Sequence, residues 1–191
     1  MQIDNLVHRY DNKTVLDIPF LEFPQNSIFG LTGPNGAGKT TLISLISNIL
    51  SVQQGTITKQ NTCGLLLQNT SLYSEMTGVQ NLDYFCKINN INKNCIKDVL
   101  RLVQIDTQTA LKKFKSLSQG NKQRLLIARA FLTNAEVILL DEPFNAVDVP
   151  TMRLMKEAIK NFSEASKKKN NHLITSSKRN RRLDNSRSNS Q

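Results

Sequence analysis

The chain has 191 residues, 39% hydrophobic and 21% charged, which suits one globular domain with a sizeable core and is too short for two. No run of 18 apolar residues occurs, so no membrane-spanning helix is expected, and the opening MQIDNLVHRYDNK lacks the apolar block of a secretion signal, which predicts retention in the cytosol. The net charge of +10 hints at nucleic acid, but +7 of it falls within residues 167–191, leaving an unremarkable +3 for the rest of the chain.

The first 25 residues alternate polar and apolar, with Ile3, Leu6, Val7, then Val15, Leu16, Ile18, Phe20, Leu21 and Phe23 around Asp11-Asn12-Lys13. That pattern predicts an antiparallel hairpin or small sheet. Ile28–Leu31 is a short apolar run that predicts a buried strand. Beyond a glycine-rich loop, Leu42, Leu45, Ile46, Ile49 and Leu50 recur at helical spacing. Gly55–Thr58 and Gly64–Leu67 read as two further strands. Helical periodicity then runs from about 79 to 132, through Val79, Leu82 and Phe85, then Ile96, Val99, Leu100 and Val103, then a helix after Ser118. Val137–Leu140 is a fully apolar strand. Met155, Ala158, Ile159 and Phe162 define one face of a following helix, and His172–Thr175 reads as a last strand. From Lys178 onward there is no apolar face, only Ser, Asn and basic residues, which predicts a solvated, disordered end. Cys63, Cys86 and Cys95 show no C-x-x-C spacing and read as reduced thiols in or near the core. The whole predicts an α/β core with an antiparallel β edge and an inserted helical block.

Two segments carry chemistry. Gly33-Pro34-Asn35-Gly36-Ala37-Gly38-Lys39-Thr40, followed by Thr41, fits the phosphate-binding pattern G-x-x-x-x-G-K-[ST]. Glycines let backbone N–H groups approach phosphate oxygens, and the helix that opens near Lys39 adds the positive end of its dipole. Lys39 supplies a cation for the β- and γ-phosphates, and the Thr40 hydroxyl suits Mg²⁺. Val137–Leu140 ends in Asp141-Glu142-Pro143, two carboxylates at the tip of a buried strand. Such a placement is costly unless something uses the charge. Asp141 suits Mg²⁺, and Glu142 is placed to orient and deprotonate an attacking water.

Leu117-Ser118-Gln119-Gly120-Asn121-Lys122-Gln123-Arg124 narrows the choice among phosphate-loop enzymes. It resembles the signature of the ABC ATPase family, LSGGQ followed by a basic residue and Gln-Arg, with Gln119 and Asn121 as departures. The resemblance runs from about residue 1 to 176 and implies a P-loop NTPase core with an antiparallel β edge and a helical subdomain over about 70–132, followed by a basic tail at 177–191. It implies ATP as substrate, Mg²⁺ as cofactor, and hydrolysis shared between two subunits. Ser118 and Gly120 of one subunit would face the γ-phosphate held by the other, an anion site that a Ser-capped helix start can supply. In the family's pattern Tyr10 resembles the aromatic that stacks on adenine. Gln68 resembles the glutamine that reaches Mg²⁺ and the attacking water and links to the membrane partner. Ser71–Thr77 with Asn81-Leu82 is similar to the start of the helical subdomain in bacterial members, and Asn145-Ala146-Val147-Asp148 to the loop that crosses the dimer interface.

One departure stands out: Lys178 occupies the place of the family's switch histidine, and His172 falls too early to replace it. The expectation is ordinary ATP binding with slow hydrolysis. The resemblance further implies a homodimer or heterodimer of ATP-binding subunits on the cytoplasmic face of the membrane, peripheral to a transmembrane permease subunit, with no specific nucleic acid as partner. An exporter of peptides or drugs is the substrate class suggested. A non-transport ATPase acting on nucleic acid or ribosomes, encouraged by the tail, and a weakly hydrolysing regulator, encouraged by Lys178, are the rival readings.

Overall fold

The computed structural model describes residues 1–58, 63–66, 71–133, 135, 137–145 and 147–165. Gln68, His172, Lys178 and the basic tail lie outside the described residues.

The N-terminal alternation becomes β1 (Gln2–Tyr10) and β2 (Lys13–Glu22), paired antiparallel with Ile3 opposite Leu21, Leu6 opposite Ile18 and His8 opposite Leu16. The two-residue turn begins at Asp11, in the left-handed region at φ 52°. β4 (Gln54–Thr58) pairs antiparallel on the other side of β1, completing a three-stranded sheet in the order β2-β1-β4. The second sheet is parallel. β6 (Val137–Asp141) lies between β3 (Ser27–Leu31) and β5 (Cys63–Leu66). In the β3–β6 register Leu31 stands opposite Asp141, so both strands end level.

Because successive residues of a strand face opposite ways, the apolar run of β6 serves two cores. Val137 and Leu139 pack with Ile3, Leu6, Leu16, Phe23, Leu42, Leu45 and Ile46, joining the antiparallel sheet to α1 (Lys39–Ile46). Ile138 and Leu140 face the other way, into the helical core. All four are at most 2% exposed, and burying each contributes about 1.5–3 kcal/mol. The apolar run of β3 predicts a buried strand, yet β3 is half-buried.

The helical block comprises α2 (Gly78–Ile88), α3 (Cys95–Leu102), the short α4 (Thr107–Ala110), a 3-10 turn at Phe114–Ser116, and α5 (Gln119–Phe131). α2 starts on a reciprocal cap: Gln80 N donates to Thr77 Oγ1 at 3.1 Å, and Thr77 N donates to Gln80 Oε1 at 2.8 Å. Buried Asn81 ties the preceding loop to this helix, donating to Tyr73 O and Thr77 O and accepting from Tyr73 N. A sixth helix, α6, spans 149–165. Asp148 caps it by accepting from Thr151 N at 2.7 Å, which holds the Asp148 carboxyl below its usual range. Phe162 of α6 stacks on Phe131 of α5 with centroids 4.2 Å apart.

One periodic residue departs from its expected place. Ile49 fits the helical spacing of α1 but is 71% exposed. The helix ends at Ile46, and Asn48 turns the chain through φ 59°, so Ile49 leaves the apolar face. Among the described residues no helix is long and apolar enough to cross a membrane.

Candidate functional site

The glycine loop leaves the C-terminal end of β3 and delivers its chain into α1 with Gly38 as N-cap, in the left-handed region at φ 84°. Lys39 is the first helical residue and folds back over the loop. Its Nζ donates to Gly33 O at 2.7 Å and Pro34 O at 2.9 Å. The same Nζ lies 2.9 Å from Glu142 Oε1, with both side chains largely sheltered at 13% and 16% exposed. The parallel pairing of β3 with β6 makes this contact possible. Each strand ends where its loop begins, side by side, so residues 103 positions apart in sequence meet.

Glu142 is held firmly. Its backbone adopts φ 46°, unusual for a side chain of this size, and its N–H donates to Leu31 O at 3.0 Å. Asn145 closes a turn onto it, donating from its backbone N to Glu142 O at 3.0 Å and from Nδ2 to Glu142 Oε2 at 3.2 Å. Asp141 is 7% exposed, and its Oδ1 is buried without a hydrogen-bond partner among the described residues. A buried carboxylate oxygen left unpaired is costly. It suits a divalent cation held with the hydroxyl of Thr40, the second residue of α1.

Tyr10 is 48% exposed at the end of β1, edge-on to His8 with ring centroids 5.0 Å apart. His8 stands opposite Leu16, and Leu16 borders Gly38, so the hairpin that carries Tyr10 flanks the phosphate loop.

Ser118 caps α5, accepting from Asn121 N at 3.3 Å. A Cβ at Gly120 would come within 2.8 Å of Thr151 Oγ1, so this glycine lets α5 pack against the start of α6. Gln123 donates to Pro143 O at 3.0 Å, which anchors the acidic turn to α5. Arg124 donates to Val103 O and Gln104 O, tying α5 to the chain after α3, and burial lowers its pKa. Among the described residues no hydrogen bond or ion pair joins Ser118 or Gly120 to the phosphate loop. The β3–β6 register and the Lys39–Glu142 contact bring the loop from Gly33 to Thr41 together with Asp141 and Glu142. Sequence reasoning identifies Asn145 only as part of a loop. Its pairing with Glu142 leaves no signal in the sequence, because it depends on the turn that follows β6.

A glycine loop between a parallel strand and a helix, with a lysine touching the acid that follows the neighbouring strand, is the arrangement of a P-loop NTPase fold. The family model described as ABC transporter matches residues 16–145, well over half of the chain, and the chain belongs to that family. An ABC transporter ATP-binding protein of Methanocaldococcus jannaschii is 31% identical over 171 residues, covering 87% of this chain and 65% of that protein. The bacitracin transport ATP-binding protein of Enterococcus faecalis is 31% identical over 161 residues, covering 78% of this chain and 52% of that protein. An ABC transporter ATP-binding protein from Pyrococcus furiosus superposes with a TM-score of 0.73 at 28% identity, covering 85% of this chain and 86% of that one. The chain spans about half to two thirds of the length of the curated relatives it matches.

Proposed function

We propose that this chain is the ATP-binding and hydrolysing subunit of an ABC transporter, working on the cytoplasmic face of the membrane with a separate membrane-spanning permease. The observation that carries the reading is the 2.9 Å contact between Lys39 and Glu142, a pairing that suits a phosphate-binding cation beside a general base.

The division of labour follows from the chemistry of each group. The N–H groups of the loop from Gly33 to Gly38, with Pro34, Asn35, Gly36 and Ala37 between them, cradle the phosphate chain at the start of α1. Thr41, 9% exposed, anchors the first turn of that helix beneath the site. Lys39 exchanges its carbonyl and carboxylate partners for β- and γ-phosphate oxygens. Thr40 and Asp141 are the residues that would hold Mg²⁺, which when bound neutralises charge on the phosphates. Glu142 takes a proton from water as the water oxygen bonds to the γ-phosphorus and ADP departs with the bridging oxygen. Tyr10 stacks on the adenine, and Gln68 retains the role that the family resemblance gives it, at the Mg²⁺ and the attacking water.

Ser118 and Gly120, at the start of α5, would meet the γ-phosphate held by a second subunit, as the family resemblance implies. Two copies, or this chain and a related subunit, would each complete the other's site, with ATP as the joint. The unit that does this is residues 1–176, with the helical subdomain at about 70–132 offering the permease its docking surface and 177–191 as a tail. The name of the bacitracin transport relative makes peptide antibiotics the first substrates to test.

The test is Glu142→Gln, which keeps shape and loses the proton acceptor. We expect native ATP affinity, hydrolysis slower by at least ~100-fold, and an ATP-bound dimer on gel filtration. Native-rate turnover would remove Glu142 from the role of base.

A further inference from the structure

Resting on the assignment of Glu142 as the base, we infer that Asn145 is a positioning residue that keeps the Glu142 carboxylate aimed while Lys39 changes partners. The two oxygens of Glu142 are held differently. Oε1 faces Lys39 Nζ at 2.9 Å, and Oε2 accepts from Asn145 Nδ2 at 3.2 Å. When a γ-phosphate draws Lys39 away, Oε1 becomes the oxygen open to water. A carboxylate on a flexible stem that lost its strongest partner at that moment would swing through several rotamers. The bond to Oε2 survives the exchange, because Asn145 belongs to the same turn as Glu142 and moves with it.

That turn is rigid enough to serve as the reference point. Glu142 N is bonded to Leu31 O of β3. Pro143 O is bonded to Gln123 of α5. The Phe144 ring lies under Lys156 of α6, with the ammonium 5.4 Å from its centroid. Asn145 N returns to Glu142 O. Three surrounding elements therefore fix the backbone from which Asn145 reaches, and its amide can hold Oε2 while leaving Oε1 in position to accept a proton. An amide suits this role because it donates to the carboxylate without adding a charge that would compete with Lys39 for phosphate.

The experiment uses the full chain. Asn145→Leu keeps the size of the side chain and removes the donor, and Asn145→Ser keeps a donor. We expect Asn145→Leu to lower kcat by about tenfold with the KM for ATP within about twofold, and Asn145→Ser to retain at least about half of the native rate. In a Glu142→Gln background, Asn145→Leu should cause no further loss, because Asn145 acts through Glu142. A second readout is independent of turnover. The Asn145 side-chain amide resonance, identified by its absence in Asn145→Leu, should lose its hydrogen-bonded shift in Glu142→Ala and keep a hydrogen-bonded shift in Lys39→Ala. An unchanged kcat in Asn145→Leu, an additive loss on Glu142→Gln, or an amide resonance indifferent to Glu142→Ala would overturn the inference. Native turnover by Glu142→Gln would instead overturn the base assignment, while the amide resonance still decides whether Asn145 holds the carboxylate.

Discussion

Gly36 and Gly38 offer a matched pair for testing how the phosphate loop is built. Both have left-handed backbones, at φ 82° and 84°, so an alanine at either carries the same torsional cost of about 1–2 kcal/mol. A stiffer unfolded chain offsets about 0.4–1 kcal/mol of that. The surroundings differ sharply. A Cβ at Gly36 meets nothing within 4 Å, whereas one at Gly38 meets Leu16 Cδ2 at 2.6 Å and Val15 O at 2.8 Å. The leucine methyl can rotate away, but the carbonyl belongs to β2 and moves only with its strand. Overpacking of this kind adds about 1–3 kcal/mol. Gly36→Ala should therefore cost about 1 kcal/mol and lower Tm by about 2–4 °C, and Gly38→Ala about 2–4 kcal/mol and roughly 5–15 °C. Since Gly38 precedes Lys39, its displacement should also weaken ATP by at least ~10-fold, against a smaller change for Gly36→Ala. Thermal unfolding followed by circular dichroism and titration calorimetry with ATP make the comparison. Equal Tm losses and equal affinities in the two variants would refute the reasoning.

Three further outcomes can be checked directly. Lys39→Ala removes the cation that bridges the loop and Glu142, and ATP affinity should fall by at least ~2 kcal/mol, about 30-fold, in calorimetry. Burial in the helical core, with Cys95 beside it, pushes the Cys86 thiol up to about 11. A raised pKa disfavours the thiolate, so Cys86 should resist N-ethylmaleimide at pH 8 while half-buried Cys95 reacts, and should label only on unfolding. It also makes the Cys86 contribution to stability complete below the unfolded value near 9 and lost as pH climbs toward 11; equal labelling of both thiols in the folded chain would contradict the burial argument. Deleting residues 179–191 should leave ATP binding intact and remove no RNA affinity at physiological salt; tight RNA binding that vanishes with the tail would favour the nucleic-acid reading instead.

What the sequence determined by itself was local in character. The four apolar residues of Val137–Leu140 read as a fully apolar strand, and they form one that is buried on both faces. The glycine loop signals a strand before it and a helix after it, and the capped start of α5 is written in Ser118. Each of these depends on spacing within a few residues, which periodicity and turn chemistry record. What depended on tertiary structure was which distant segments meet. Leu31 stands level with Asp141 because two parallel strands adopt one register, and that register, with Lys39 folded back over its loop, brings Lys39 to Glu142. Gly38 must be glycine partly because β2 from another sheet passes over it, which no local pattern reveals. Ile49 illustrates the converse: its spacing is helical, but Asn48 turns the chain one residue earlier and leaves it in solvent. Periodicity states which way a side chain would point if the element continued. Packing between elements decides where the element stops and what it finally touches.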